Sequence, residues 1–208
     1  MFIGHHAVAF AGKKIVPETS LGASVLAVSF IDLLWPIFLL AGWESVVIVP
    51  GLMKLSPFDF THYPISHSLL GAGIWSAVLG AGYFAWTRYA RGAAWMFAAS
   101  LSHWFLDLVV HRPDLQIVPG GARYGFGGWD HPWLAIPLEG AMFAAAVWSW
   151  PGRRNGWFWS LVVFLPLVYA AAMFGPPPPD ARPIAWSGLA SWLLPLWAWA
   201  ADRPRPLS

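Results

Sequence analysis

SLLGAGIWSAVLGAGYFAWT, residues 68–87, is a run of twenty residues without one charge. As a helix rising ~1.5 Å per residue it would extend ~30 Å, the thickness of the hydrocarbon layer of a bilayer. Residues 155–179 and 183–201 are charge-free as well. Around these windows the composition is 58% hydrophobic and only 11% charged, with a mean hydropathy of +0.56, far from that of a water-soluble domain. Many of the sixteen tryptophans stand near window ends, among them Trp43, Trp86, Trp95, Trp133, Trp148, Trp150, Trp157, Trp159, Trp197 and Trp199. Amphipathic rings collect there because their N–H groups reach the wet headgroup layer. The chain reads as an all-α, polytopic membrane helix bundle forming a single domain over residues 1–208.

Six spans are expected, near 20–41, 64–86, 92–111, 134–150, 156–174 and 184–201. Pro64 suits a first helical turn, where a missing N–H costs nothing. Pro36, Pro137, Pro166 and Pro195 predict kinks or broken ends. Placing both termini in the cytoplasm puts Lys13, Lys14, Arg88, Arg91, Arg153, Arg154, Arg203 and Arg205 inside, leaving Lys54, Arg112, Arg123 and Arg182 outside. That asymmetry follows the positive-inside tendency. Residues 1–12 are apolar but too short to cross, so they form either an interfacial helix or a half-helix entering from the lysine side. They lack the form of a signal peptide, since the apolar stretch precedes the lysines. The loop at 112–133 contains Pro119-Gly120-Gly121 and Gly125-Phe126-Gly127-Gly128, chemistry suited to a hairpin or lid. Pro176–Pro179 reads as a stiff connector. There is no basic run of the kind that binds nucleic acid.

The rare ionisable groups carry the functional signal. His103-x3-Asp107-x3-His111 places two imidazoles and a carboxylate on one side of a helix, because each four-residue step drifts by only ~40°. Such groups are costly in an apolar helix unless they meet partners. Depth along the helices, at ~1.5 Å per residue, sets His103 about 12 Å and Asp107 about 6 Å below the outer end. Asp32, about 14 Å below the same face, is level with His103. His67 opens the second span, His62 precedes Pro64 and is free to fold back, and Glu139 opens the fourth. One pocket in the outer half of the bundle is therefore geometrically allowed. His5 and His6 would approach it from below only if the N-terminal segment enters the membrane. His111 reads as a solvated group at the rim beside Arg112, and His131 as part of an interfacial loop. Glu139 is either a partner of Arg112 or Arg123 or a general base. With no cysteine in the chain, any metal would take nitrogen and oxygen ligands.

Gly4-His5-His6, the helix carrying Asp32, His62-Tyr63-Pro64-Ile65-Ser66-His67-Ser68 and Ser102-His103-Trp104-Phe105-Leu106-Asp107 occur in a recognisable order. Over roughly residues 4–111 they resemble the bacterial family of inner-membrane-associated metal-dependent hydrolases, described also as LexA-binding. The resemblance implies a divalent ion, Zn²⁺ or else Mn²⁺ or Fe²⁺, held by His6 (or His5), Asp32, His62, His67, His103 and Asp107. Where the family has Pro-Asp-x-Asp-His, this chain has Phe30-Ile31-Asp32-Leu33-Leu34, with one carboxylate and no following histidine. Where the family has Arg-Gly-x-Thr between the paired histidines, it has Tyr63-Pro64-Ile65-Ser66.

The expected activity is hydrolysis of an amphiphilic ester or phosphoester near the outer face of a bacterial inner membrane. Glu139 or Asp32 would take the proton, and Arg112 and Arg123 would orient an anionic headgroup. The competing expectations are a transporter or proton or metal relay, and a scaffold whose site has degenerated.

Overall fold

A computed structural model describes residues 1–202; Arg203 and Arg205, counted above among the inner charges, lie outside the described residues. The helices are α1 (Ile3–Ile15), α2 (Leu21–Leu40), α3 (Pro64–His67), α4 (Leu69–Thr87), α5 (Ala90–Val110), α6 (Pro132–Trp148), α7 (Gly156–Phe174), α8 (Ala181–Ala190) and α9 (Leu193–Asp202). Two small hairpins interrupt them: β1 (Ser45–Ile48) with β2 (Phe58–His62), and β3 (Leu115–Gln116) with β4 (Arg123–Tyr124), both antiparallel. Four helices, α2, α4, α5 and α7, are long and apolar enough to cross a membrane.

Two expected spans are broken. The second divides at Ser68, whose backbone is extended while its hydroxyl accepts from Gly71 N–H at 3.0 Å and caps α4. The resulting single turn, α3, is what turns His67 inward. The sixth divides at Ser191–Trp192 into α8 and α9, ten residues each, neither of which can span alone. Pro195 falls in the first turn of α9, where its absent N–H leaves no bond unmade. By contrast α2, α6 and α7 run through Pro36, Pro137 and Pro166 as continuous helices.

The N-terminal segment is not a surface helix. α1 lies inside the bundle against α2, α5 and α6, with Ala9 and Phe10 wholly inaccessible. Its small and apolar residues Ile3, Gly4, Ala7, Ala9, Phe10 and Gly12 are all buried. Its carboxyl end is tied down by Lys13, whose Nζ donates to Asp202 Oδ2 at 2.6 Å. The same oxygen accepts from Leu21 N–H at 2.9 Å, so one carboxylate joins the end of α1, the start of α2 and the end of α9. Its amino end is held by Glu139 of α6, whose Oε2 accepts from Phe2 N–H at 2.7 Å and Gly4 N–H at 3.1 Å. Those amides have no intrahelical acceptor, and a carboxylate there also complements the helix dipole.

Connectivity sorts the loops into two ends. The α1–α2, α4–α5 and α6–α7 turns form a basic end containing Lys13, Lys14, Arg88, Arg91, Arg153 and Arg154. Both hairpins form the other end and pack on each other: Arg123 Nη2 donates to Thr61 O at 3.0 Å, and Leu55 N–H to Trp129 O at 3.1 Å. The 112–133 loop thus contains the expected hairpin. Its left-handed Gly127 (φ 69°) donates to His111 O at 2.6 Å. At Gly128 a Cβ would come within 2.7 Å of Val109 O, so only glycine allows this loop to close over the end of α5.

Candidate metal centre

Four helices bring polar groups together just beneath the hairpins. α5 supplies His103 and Asp107, α2 supplies Asp32, α3 supplies His67 and α1 supplies His5. Two triads could hold a metal ion: His5, His103 and Asp107, all buried, and Asp32, His67 and His103. His103 Nε2 is 3.1 Å from Asp107 Oδ2 and 3.4 Å from Asp32 Oδ1. His67 Nε2 is 3.3 Å from Asp32 Oδ1 and 4.0 Å from Asp107 Oδ2. His5 Nε2 meets Asp107 Oδ1 at 3.0 Å, its ring stacked on that of His103 at 3.8 Å between centroids. The Met1 amino group also donates to Asp107 Oδ1.

The second nitrogen of each ring reveals how these imidazoles are set. His103 Nδ1 faces Val28 O at 2.8 Å, a carbonyl that can only accept, so Nδ1 carries the proton. His6 Nδ1 likewise donates to Phe2 O at 3.1 Å. His111 Nδ1 donates to Asp114 Oδ1 at 3.0 Å. His67 Nδ1 is 2.7 Å from Ser66 Oγ, whose own hydroxyl donates to Glu44 Oε2 at 2.6 Å. In each neutral ring the lone pair is therefore on Nε2. For His67, His103 and His111 that lone pair is turned towards the Asp107 carboxylate, at 4.0, 3.1 and 3.9 Å. Lone pairs facing carboxylate oxygens repel unless a cation lies between them, either a proton making imidazolium or a metal ion. Anchoring Nδ1 so that Nε2 is presented is how proteins orient histidine ligands.

The donor set fits a borderline divalent ion: nitrogen and carboxylate oxygen, without sulfur. Among the described residues, His6 Nε2 and His103 Nε2 are buried with no hydrogen-bond partner, so the 3.1 Å approach of His103 to Asp107 is not a hydrogen bond. On α2, Ile31 and Leu33 are each 1% exposed, whereas the Asp32 side chain between them is 50% exposed. The cluster is open on the Asp32 side and closed elsewhere. Aromatic rings form the closed side: Tyr63 lies 5.1 Å from His67, and Trp129 and Phe60 lie 4.5 and 4.9 Å from His111. The Tyr63 hydroxyl donates to Asp114 at 2.5 Å. Burial, then that carboxylate, keeps it protonated well above the ordinary phenol range.

Several residues singled out from the sequence lie elsewhere. His62 ends β2 on the exposed hairpin surface, because the chain passes from strand to helix between it and His67 and turns the two rings apart. Among the described residues Glu139 has no arginine partner, and it is not open to a substrate. It is wholly buried, with Oε2 on the α1 amides and Oε1 accepting from Tyr169 at 3.4 Å. His6 is buried beside the cluster, but His5 makes the contact to Asp107. His111 is 3% exposed rather than solvated at the rim, since the Gly127–Gly128 turn folds over it. Arg123 is exposed on β4 and Arg112 is half-buried in the loop before β3. Glu44 and Asp114 were not anticipated; each is an acidic residue in a loop, and only the folded chain sets it behind a histidine. No family model, curated protein or solved structure matches the chain.

Proposed function

We propose that this protein is a membrane-embedded metal-dependent hydrolase acting on an amphiphilic ester or phosphoester that approaches from the hairpin end. The observation that carries the reading is the set of histidines whose Nδ1 atoms are all committed to acceptors while Nε2 converges on Asp107 and Asp32. Either triad would hold the ion: His5, His103 and Asp107, or Asp32, His67 and His103. A bound Zn²⁺ or similar ion would lower the pKa of a water towards ~7 and polarise the scissile group.

With the ion on His5, His103 and Asp107, Asp32 would be the uncoordinated carboxylate that takes the proton, because half its side chain is open while both Glu139 oxygens are occupied. Arg123 retains donors beyond the one given to Thr61, and with Arg112 it would orient an anionic headgroup at the mouth. By the positive-inside tendency the basic end would face the cytoplasm and the site the outer leaflet, and the family resemblance would make that membrane a bacterial inner one.

The test uses the full chain in lipid nanodiscs, stripped by a chelator and refilled with Zn²⁺, Mn²⁺ or Fe²⁺. Stoichiometric metal and metal-dependent release from fluorogenic short-chain ester or phosphodiester lipids are expected, both lost in His103→Ala. Wild-type protein that retains no metal after repletion would refute the reading. Metal-loaded protein that moves the ion or protons across a proteoliposome, with no hydrolysis, would assign the cluster to transport.

A further inference from the structure

Glu44 lies in the turn between α2 and β1, outside the membrane-crossing helices, yet it is only 3% exposed. Its Oε1 accepts from Ile65 N–H at 2.7 Å and Ser66 N–H at 2.8 Å, the free amides at the start of α3. Its Oε2 accepts from Ser66 Oγ–H at 2.6 Å. The serine hydroxyl has one proton, and the carboxylate can only accept, so that proton is directed to Glu44. Ser66 Oγ is then an acceptor towards His67, 2.7 Å away, and the ring must carry its proton on Nδ1. The lone pair is left on Nε2, 3.3 Å from Asp32 Oδ1. The ring is also fixed by its backbone, since His67 O accepts from Trp104 Nε1–H at 3.0 Å.

We propose that Glu44 is a positioning residue which, through Ser66, dictates the tautomer of His67 and so makes Nε2 a ligand. The link to metal affinity rests on the metal-site reading above; the tautomer itself does not. Exchanging one atom should reverse the relay. In Glu44→Gln the two backbone amides still require the carbonyl oxygen, which turns the –NH₂ towards Ser66 Oγ. The hydroxyl then becomes the acceptor from Gln and the donor to His67 Nδ1, and the ring proton moves to Nε2, where it blocks a cation.

The experiment reads the ¹⁵N shifts of histidine-labelled, metal-free protein in nanodiscs, at a pH raised until the His67 signals are those of a neutral ring. His67→Ala identifies the His67 signals. Zn²⁺ affinity is measured on the same samples by competition with a chelator. Wild type is expected as the Nδ1–H tautomer and Glu44→Gln as Nε2–H, with affinity lower by roughly tenfold to a hundredfold. Ser66→Ala cuts the relay, so adding Glu44→Gln to it should lower affinity no further, and Ser66→Thr should restore it. An unchanged His67 tautomer in Glu44→Gln, or additive losses in the double variant, overturns the proposal. Should Glu44→Gln fail to fold, the Ser66→Ala and Ser66→Thr pair decides: equal affinities overturn the relay. A wild type that shows the Nδ1–H tautomer yet takes no zinc overturns the metal reading and leaves the relay standing.

Discussion

The two ends of α1 lie in different solvents. At the basic end Phe10 packs edge-on against Phe143, Trp150 and Phe158, with centroids 5.6, 5.6 and 5.8 Å apart, over Leu161 and Leu165 that water does not reach. One turn and a half away, at the hairpin end, His5 and His6 sit among carboxylates and imidazoles. Among the described residues, every buried side-chain polar atom without a partner belongs to that half: His5 Nδ1, His6 Nε2, Trp35 Nε1, His103 Nε2, Asp114 Oδ2 and Trp129 Nε1. Proteins seldom tolerate such atoms, since each forfeits the hydration it had in the unfolded chain. Their concentration in one half teaches that the basic end stabilises the bundle and the hairpin end holds a destabilising arrangement in place. The sharing of one helix between the two makes this feasible, because α1 is clamped at its foot by Asp202 and at its head by Glu139.

Four substitutions test that division. Asp107→Asn removes the charge on which His103, His5 and the Met1 amino group converge. Losing one partner of a buried ionic group costs roughly 3–5 kcal/mol, and metal content measured by elemental analysis should fall to background. Phe10→Ala should cost a comparable or slightly smaller amount, about 3–5 kcal/mol for a large ring removed from a full core. It should nevertheless leave the Zn²⁺ affinity of the folded fraction unchanged; a joint loss of stability and affinity would dissolve the contrast between the ends. Glu139→Gln keeps an oxygen for the Phe2 and Gly4 amides but loses the charge and the acceptor of the Tyr169 hydroxyl, so thermal unfolding should register about 1–3 kcal/mol. Turnover should persist, whereas a general base at this position would make the same variant inactive. The smallest effect belongs to His62→Ala, on the exposed hairpin. Unfolding temperature and metal affinity should both match wild type, and a drop in affinity would return His62 to the ligand set.

How much of this was legible in advance depended on whether the signal was local. The face formed by His103 and Asp107 follows from helical periodicity, the solitary Asp32 stands out against its apolar helix, and the folded chain sets Asp32 Oδ1 3.4 Å from His103 Nε2. His62 and His67 form a pair in sequence only. Pro64 starts a new turn between them, and a change of backbone direction within five residues separates their rings. His111 reads in sequence as solvated because it follows the last turn of α5 and precedes an arginine. Its burial comes from a glycine turn about sixteen residues further on. Glu139 reads in sequence as a partner of Arg112 or Arg123 or as a general base, but its partners are Tyr169 and two amides 135 or more residues away in the chain. Glu44 offered no signal, since an acidic residue in a loop between tryptophan and serine is unremarkable until α3 docks on it.

Hydropathy and periodicity alone determined that these residues form apolar helices and that a handful of ionisable groups must be brought together inside them. Both follow from transfer free energies, which act on each segment whatever its neighbours are. Which nitrogen of each ring carries the proton, which carboxylate stays open and which one merely anchors a helix were decided by the tertiary structure. Those outcomes depend on acceptors contributed from distant parts of the chain, and hydrogen bonds reach only about 3 Å.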